Sequence, residues 1–294
     1  MIFPGSIVPS IERSDTTGSG ELGDGNVGYR LAANGAFTDE FTGEFGGHDV
    51  GISPPPFYTL NGTDPSTRTY TGNSSANTLT GTSAPEKFDG KGGSDAYNGS
   101  LGDDLYVISE SGDRVSSDTG GQDTVEYWHV ANYTLPSLVE HVIVQGTASR
   151  TVTGNARDNI MSFNGGGANT VTLNGGDGRD NIRVSSGNVD AIGGTGNDIF
   201  RYSLAAQGDG NTIRDFRLGE DLIDASALLA ASTTPKTNPF SNGVFRLVNS
   251  GPDVKLIYDR DGTAGTSYTA AEVVQLTNIQ IGTGIDEAHI YTGL

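Results

Sequence analysis

Four nonapeptides run without a break from Gly72 to Val107: GNSSANTLT, GTSAPEKFD, GKGGSDAYN and GSLGDDLYV. Each opens on glycine and carries a large apolar residue at its eighth place. The later two follow the pattern GGxGxDxUx at every position but the second. In such a unit a glycine-rich turn leaves backbone carbonyls uncovered, the aspartate adds a carboxylate, and the apolar residue points inward. A donor set made only of oxygen suits a hard divalent cation, calcium above all.

A second block follows after an intervening segment. It holds GNARDNIMS from Gly154, an offset NGGGANTVT from Asn164, GGDGRDNIR from Gly175, VSSGNVDAI from Val184 and GGTGNDIFR from Gly193. Gly72 to Gly90, Gly81 to Gly99 and Gly175 to Gly193 are each 18 residues apart, so two units make one turn of a coil. Each unit supplies a turn and a short strand. Strands then stack as parallel ladders about 4.8 Å apart, and the turns line up along two edges. This spacing sets Asn77 against Asp95, Glu86 against Asp104 and Asp180 against Asp198. Carboxylates so close repel unless a cation sits between them. The expected calcium ligands are these six residues and the loops that carry Gly90, Gly92, Gly99, Gly176, Gly178, Gly193 and Thr195. Asp180 with Asp198 is the best-formed site; Asn77 lowers the charge of its own, and Glu86 is a longer ligand after Pro85. The apolar positions Leu79, Phe88, Tyr97, Tyr106, Ile182 and Phe200 form a thin interior ladder.

Composition agrees with repeated turns and short strands. The chain has 44 glycines, 34% hydrophobic and 18% charged residues among 294. With 17 basic against 36 acidic residues its formal charge is -19, which repels phosphate backbones and argues against nucleic acid. There is no cysteine, hence no disulfide or thiolate metal site. The opening MIFPGSIVPSIERSD lacks the basic and apolar regions of a cleaved signal peptide, and no stretch approaches the roughly 18 apolar residues of a membrane span.

These residues resemble the repeats-in-toxin (haemolysin-type) calcium-binding family, whose members leave Gram-negative bacteria through the type I secretion apparatus. The segment DLYVISESGDRVSSDTGGQDTVEYWHVANYTLPSLVEHVIVQGT from Asp104 is similar to the family's linking segment. NTIRDFRLGEDLIDAS from Asn211 is similar to its post-repeat element, with Asp215, Phe216, Gly219, Asp221, Ile223, Asp224 and Ser226 on the marked positions. The resemblance covers roughly residues 70 to 230 and implies a chain that is unfolded in the calcium-poor cytosol and folds outside. The last sixty or so residues are compatible with an uncleaved secretion region.

No HExxH and no GxSxG occurs, so the motifs of a zinc protease and of a lipase-type nucleophile are missing. The histidines are scattered, and His129 and His141 read as outward-facing sheet residues. The acid cluster TDEFTGEFGGHD, with Asp39, Glu40, Glu44, His48 and Asp49, matches no glycosidase spacing and reads as a solvated loop. YDRDG, with Asp259 and Asp261, reads as a hairpin turn. Tyr127, Trp128 and Tyr133 could stack on sugars or pack between strands.

The sequence therefore predicts an all-β protein, a right-handed parallel β-roll or β-helix of calcium-binding repeats with small β-rich caps at both ends. Residues 1–70 form an N-terminal cap or linker, 71–230 the calcium-binding coil, and 231–294 a C-terminal cap with the secretion region. The expected protein is not an enzyme. It is a secreted, calcium-dependent component of the cell surface, matrix or surface layer that binds itself or surface polysaccharide. The alternatives are a calcium-binding and secretion module of a polysaccharide-modifying enzyme such as an epimerase or lyase, and a secreted host-interaction protein. An initiator-like Met1 favours a complete non-enzymatic chain.

Overall fold

The computed structural model describes residues 68–203, 210–262, 265–279 and 285–292, together with the strand pairs Glu44–Phe45 and His48–Asp49. Two units divide the chain, Met1–Thr59 and Leu60–Leu294. In the first, Glu44 pairs with Asp49 and Phe45 with His48 in antiparallel register. Asp39 and Glu40 of the acid cluster lie outside the described residues.

The second unit is a parallel β-solenoid. One wall is a 10-stranded sheet whose strands, in spatial order from one end, include Arg68–Thr71, Glu86–Asp89, Leu105–Ile108, Thr124–Tyr127, His141–Val144 and Ile160–Phe163. Asn181–Val184, Ile199–Tyr202, Leu222–Asp224 and Ile290–Tyr291 complete it. The facing strands form a 3-stranded sheet (Thr78–Thr80, Ala96–Asn98, Arg114–Ser117) and an 8-stranded one. The latter runs from Tyr133–Thr134 through Arg150–Thr153, Thr170–Asp177, Asn188–Thr195 and Thr212–Ile213.

Within the repeats the register keeps the predicted winding. Arg68 pairs with Glu86, Thr78 with Ala96, Lys87 with Leu105 and Asn181 with Ile199. The winding does not stop at the repeats. Between the two blocks Leu105 pairs with Thr124, Thr124 with His141 and His141 with Ile160, so the linking segment makes further coils of slightly different length. Ile160 pairs with Asn181 across the offset nonapeptide. The loop there is wider because the Phe163 ring lies beneath it, 2.4 Å from where a Cβ on Gly165 would stand and 2.8 Å from one on Gly187.

The interior is narrow and dry, since each strand sends only its alternate residues inward. Phe88, Tyr97, Tyr106, Ile182 and Phe200 are buried, and Leu79, on an end coil, is half-buried. Aromatic rings stack along the coil axis, Tyr70 on Phe88 at 5.3 Å and Phe88 on Tyr106 at 5.3 Å, and across the interior Tyr97 stacks on Tyr106 at 6.0 Å. Such offset stacks add about 0.5–1.5 kcal/mol per pair beyond the area they bury. Tyr127 is buried and stacks on Tyr133 at 4.6 Å, whereas Trp128 is exposed.

After the short helix Ser226–Ala231, the antiparallel strands Phe245–Ser250, Asp253–Tyr258 and Ala271–Leu276 extend the 8-stranded sheet, Ala271–Leu276 pairing with Thr212–Ile213. Ile290–Tyr291 extends the other sheet beside Leu222–Asp224. YDRDG lies in the turn after Asp253–Tyr258, where Asp261 Oδ2 accepts the Ser267 N–H at 2.7 Å. Among the described residues no helix is long and apolar enough to cross a membrane.

Candidate metal centres

Every strand of the 10-stranded wall from Glu86 to Leu222 begins at or just after a polar residue on the same edge. These residues are Glu86, Asp104, Asp123, Glu140, Asn159, Asp180, Asp198 and Asp221, and all are buried. A repeating hydrogen bond links them. The Glu86 N–H donates to Asp104 Oδ1 at 2.9 Å, Asp104 N–H to Asp123 Oδ1 at 2.9 Å and Asp123 N–H to Glu140 Oε2 at 3.0 Å. Asn159 N–H donates to Asp180 Oδ1 at 2.8 Å, Asp180 N–H to Asp198 Oδ1 at 2.9 Å and Asp198 N–H to Asp221 Oδ1 at 3.0 Å. The opposite edge repeats the motif over the first coils: Asn77 N–H donates to Asp95 Oδ1 at 2.7 Å and Asp95 N–H to Asp113 Oδ1 at 3.0 Å. All three pairs expected from the spacing are thus in register, joined by a backbone donor.

The side-chain oxygen that faces the loop separates two classes of rung. Where the loop lacks the glycine consensus, this oxygen turns back onto its own loop. Asn77 Oδ1 accepts Asn73 N–H at 2.7 Å, Glu86 Oε2 accepts Thr82 N–H at 2.7 Å, Asn159 Oδ1 accepts Asn155 N–H at 2.7 Å and Asp221 Oδ2 accepts Arg217 N–H at 2.6 Å. In the glycine-rich loops it does not. Oδ2 of Asp95, Asp180 and Asp198 is buried without any hydrogen-bond partner, and Asp104 Oδ2 has only the Tyr106 hydroxyl at 3.4 Å. Each of these oxygens faces the first glycine of its loop. A Cβ added at Gly90, Gly99, Gly175 or Gly193 would stand 2.0, 2.2, 2.1 or 2.2 Å from Oδ2 of Asp95, Asp104, Asp180 or Asp198.

The loop backbones deliver carbonyls to the same edge. Gly176, Gly178, Gly194 and Gly196 have φ of 108°, 117°, 100° and 129°, in the left-handed region that a side chain disfavours. A Cβ on Gly194 would lie 1.9 Å from the Gly176 carbonyl oxygen, and one on Gly196 1.7 Å from that of Gly178. In the first block the fourth-place residues Gly93 and Gly102 take φ of 111° and 107°. A Cβ on Gly93 would make the close approach, 2.7 Å from the Ser75 carbonyl oxygen, whereas one on Gly92 beside it would meet only Ser74 Cα at 3.7 Å. The second place, where this sequence departs from the consensus, holds Lys91 and Ser100 at φ of 70° and 82°. Thr195 is exposed and its hydroxyl donates to Asp177 at 2.6 Å.

Burial without a partner is costly for a carboxylate. Asp180 is pushed up to about 8, first by burial and then by neighbouring Asp198. Asp198 rises to about 7 by burial and the charge of Asp221, with Arg217 opposing. Asp104 rises to about 7 and Asp95 is raised, both chiefly by burial. Beyond Asp198 the stack ends on a cation supplied by the chain, Arg217, 3.8 Å from Asp198 Oδ2 and donating to the Gly196 carbonyl at 2.8 Å. Four inward carboxylate oxygens, three accepting no hydrogen bond and the fourth only a long one from Tyr106, each in a cradle that any side chain would fill and beside stacked carbonyls, fit a hard divalent cation.

His141 corrects an expectation. It lies in the wall but is buried, its Nε2 within 3.1 Å of Gln122 Oε1, and burial drives its imidazole down to about 3. It occupies the place after Glu140, and the matching residues Thr124, Ile160, Asn181 and Ile199 are also buried. His129 lies beyond its strand and accepts the Ala131 N–H at 3.2 Å.

Residues 92–268, more than half of the chain, match the family model described as Peptidase M10 serralysin C terminal. The match is to this C-terminal region and not to a peptidase catalytic domain. No curated protein sequence matches the chain.

Proposed function

Because the chain belongs to the serralysin C-terminal family, a β-roll of the repeats-in-toxin type, we propose that it is a secreted calcium-binding protein with a structural role at the cell surface or in the extracellular matrix. The observation that carries the calcium reading is the set of buried Oδ2 atoms of Asp95, Asp180 and Asp198, which accept no hydrogen bond, together with that of Asp104, which has only the Tyr106 hydroxyl at 3.4 Å. These four carboxylates would hold the ions together with carbonyls of the loops that contain Gly90, Gly92, Gly99, Gly176, Gly178, Gly193 and Thr195. Asn77, whose single side-chain oxygen accepts from its own loop, and Glu86, whose carboxylate is taken by Thr82, would bring the neighbouring backbone rather than a free ligand. Bound calcium supplies the positive charge that lets adjacent turns close on one another.

Extracellular calcium modules bind with dissociation constants of roughly 10⁻⁴ to 10⁻³ M, so such sites fill outside a cell and stay empty in the cytosol. Binding energy is then folding energy. This fits passage as an unfolded chain through the type I secretion apparatus. Self-association is supported by the edges of the ladder: among the described residues Arg68–Thr71 and Thr78–Thr80 each have one sheet neighbour, and open parallel edges template further pairing. Surface polysaccharide is the second partner proposed.

The match to the C-terminal region of a peptidase favours a second reading, a calcium-folded module that serves an enzyme rather than a scaffold. Electron microscopy of the calcium-loaded protein separates the two. Ordered sheets or filaments that dissolve on chelation support the structural role. Monodisperse particles at every concentration would remove it.

A further inference from the structure

One step along the edge from Asp104, the loop Ser117–Asp123 of the linking segment stacks on the loop Gly99–Asp104. It is not a nonapeptide, but the backbone engages in the same way. The Thr119 N–H donates to the Ser100 carbonyl at 2.7 Å, Gln122 N–H to Asp103 Oδ1 at 2.9 Å and Asp104 N–H to Asp123 Oδ1 at 2.9 Å. Gly121, at φ 137°, lies so close that a Cβ would stand 1.8 Å from the Gly102 carbonyl oxygen.

This stacking gathers three buried carboxylates. One oxygen from each of Asp104, Asp118 and Asp123 lies within 4.8 Å of the others, and the residues are 0%, 4% and 0% exposed. Asp118 accepts the Tyr106 hydroxyl and, through Oδ1, the Gly120 N–H at 3.1 Å. Asp123 Oδ2 is fully buried and has no partner at all. Among the described residues no lysine or arginine pairs with any of the three.

We propose that Asp104, the acid of the fourth nonapeptide, and Asp118 and Asp123 of the linking segment form a calcium site that joins the first repeat block to the linking coils. The identity of the ion rests on the calcium reading above; the convergence of the carboxylates does not. An all-oxygen, carboxylate-rich donor set takes calcium in preference to zinc or softer metals. Affinity in such sites rises with the number of charged ligands, and three carboxylates exceed the two that adjacent nonapeptide loops bring together. This site therefore fills first as calcium rises. It pins the coil at the junction before the repeats on either side close, and the Tyr106 hydroxyl holds Asp118 in place.

Equilibrium dialysis of the full chain against labelled calcium, with circular dichroism to verify folding, tests the proposal in wild type, Asp118→Asn and Asp198→Asn. Asp118→Asn is expected to bind one ion fewer per chain and to lose the tightest phase of uptake. Asp198→Asn keeps that phase and weakens a later one. A folded Asp118→Asn chain with unchanged stoichiometry and affinity overturns the site while leaving the repeat sites standing. A wild-type chain that takes up no calcium overturns both readings. If Asp118→Asn does not fold, crystals of the calcium-loaded wild type decide: an ion bonded to all three carboxylates supports the site, and ions at the repeats with none here overturn it.

Discussion

Replacing Asp198 by asparagine should move stability in opposite directions with and without calcium. In the calcium-free fold the Asp198 carboxyl sits at about 7, raised by burial first and then by Asp221. A carboxyl ordinarily titrates near 4, and each tenfold step is 1.36 kcal/mol, so keeping this buried group ionised above neutral pH costs roughly 4 kcal/mol. Asparagine removes that cost and keeps the acceptor that receives the Asp180 N–H at 2.9 Å. The chelated variant should therefore show more β signal in circular dichroism at mildly alkaline pH than the wild type. In saturating calcium the variant lacks one charged ligand. A weakening of ten- to a hundredfold corresponds to about 1.4–2.8 kcal/mol, read as a lower urea midpoint. Glu110→Gln, at an exposed carboxylate, should change neither quantity. A loss of stability of equal size in both conditions would mean that Asp198 is an ordinary hydrogen-bonding residue and not a charge held for a cation.

The pH response should likewise depend on calcium. Asp104, Asp180, Asp198 and Asp221 are raised to about 7, 8, 7 and 6, each mainly by burial. Raised carboxyls stabilise the calcium-free fold below the ordinary carboxylate range, and that contribution is lost as pH rises through 6 to 8. Acidifying chelated protein should thus increase its β signal, whereas acidifying calcium-loaded protein should lower its thermal midpoint as protons displace the ion; parallel circular dichroism scans with and without calcium check both signs. Lys91→Gly and Ser100→Gly relieve left-handed backbone at φ 70° and 82° and should each raise the calcium-loaded urea midpoint by about 0.5–1 kcal/mol, the difference between side-chain strain and glycine entropy. Phe200→Ala, at a fully buried rung of the interior, should cost about 3–5 kcal/mol in the same assay.

The repeats could be read from the sequence because their requirements are local. A glycine where φ is positive, an acid at the sixth place and an apolar residue at the eighth each leave a mark at a fixed spacing, and the partners of Asp95, Asp104 and Asp198 followed from counting. The linking coils were harder to read because their length varies: Thr124, His141 and Ile160 stack without a common period or glycine punctuation. A weaker signal was present there. In Asp123-Thr-Val, Glu140-His-Val, Asn159-Ile-Met and Asp221-Leu-Ile the polar rung precedes a buried apolar residue by two places, as it does in Asp180-Asn-Ile and Asp198-Ile-Phe. Alternation along a strand suggests an outward face for His141, whereas the place after a rung is buried, as Thr124, Ile160, Asn181 and Ile199 also are. Asp118 carries no periodic signal at all. Only the stacking of its loop on Gly99–Asp104 brings it to Asp104 and Asp123.

Compaction of this polyanion should require bound cations and not the polypeptide alone. A calcium titration of the chelated chain at neutral pH, followed by far-ultraviolet circular dichroism, tests it most directly. Little β signal is expected at the start, with a cooperative gain over roughly 10⁻⁴ to 10⁻³ M calcium that excess chelator reverses. A full β spectrum in chelator, unchanged by calcium, would contradict it.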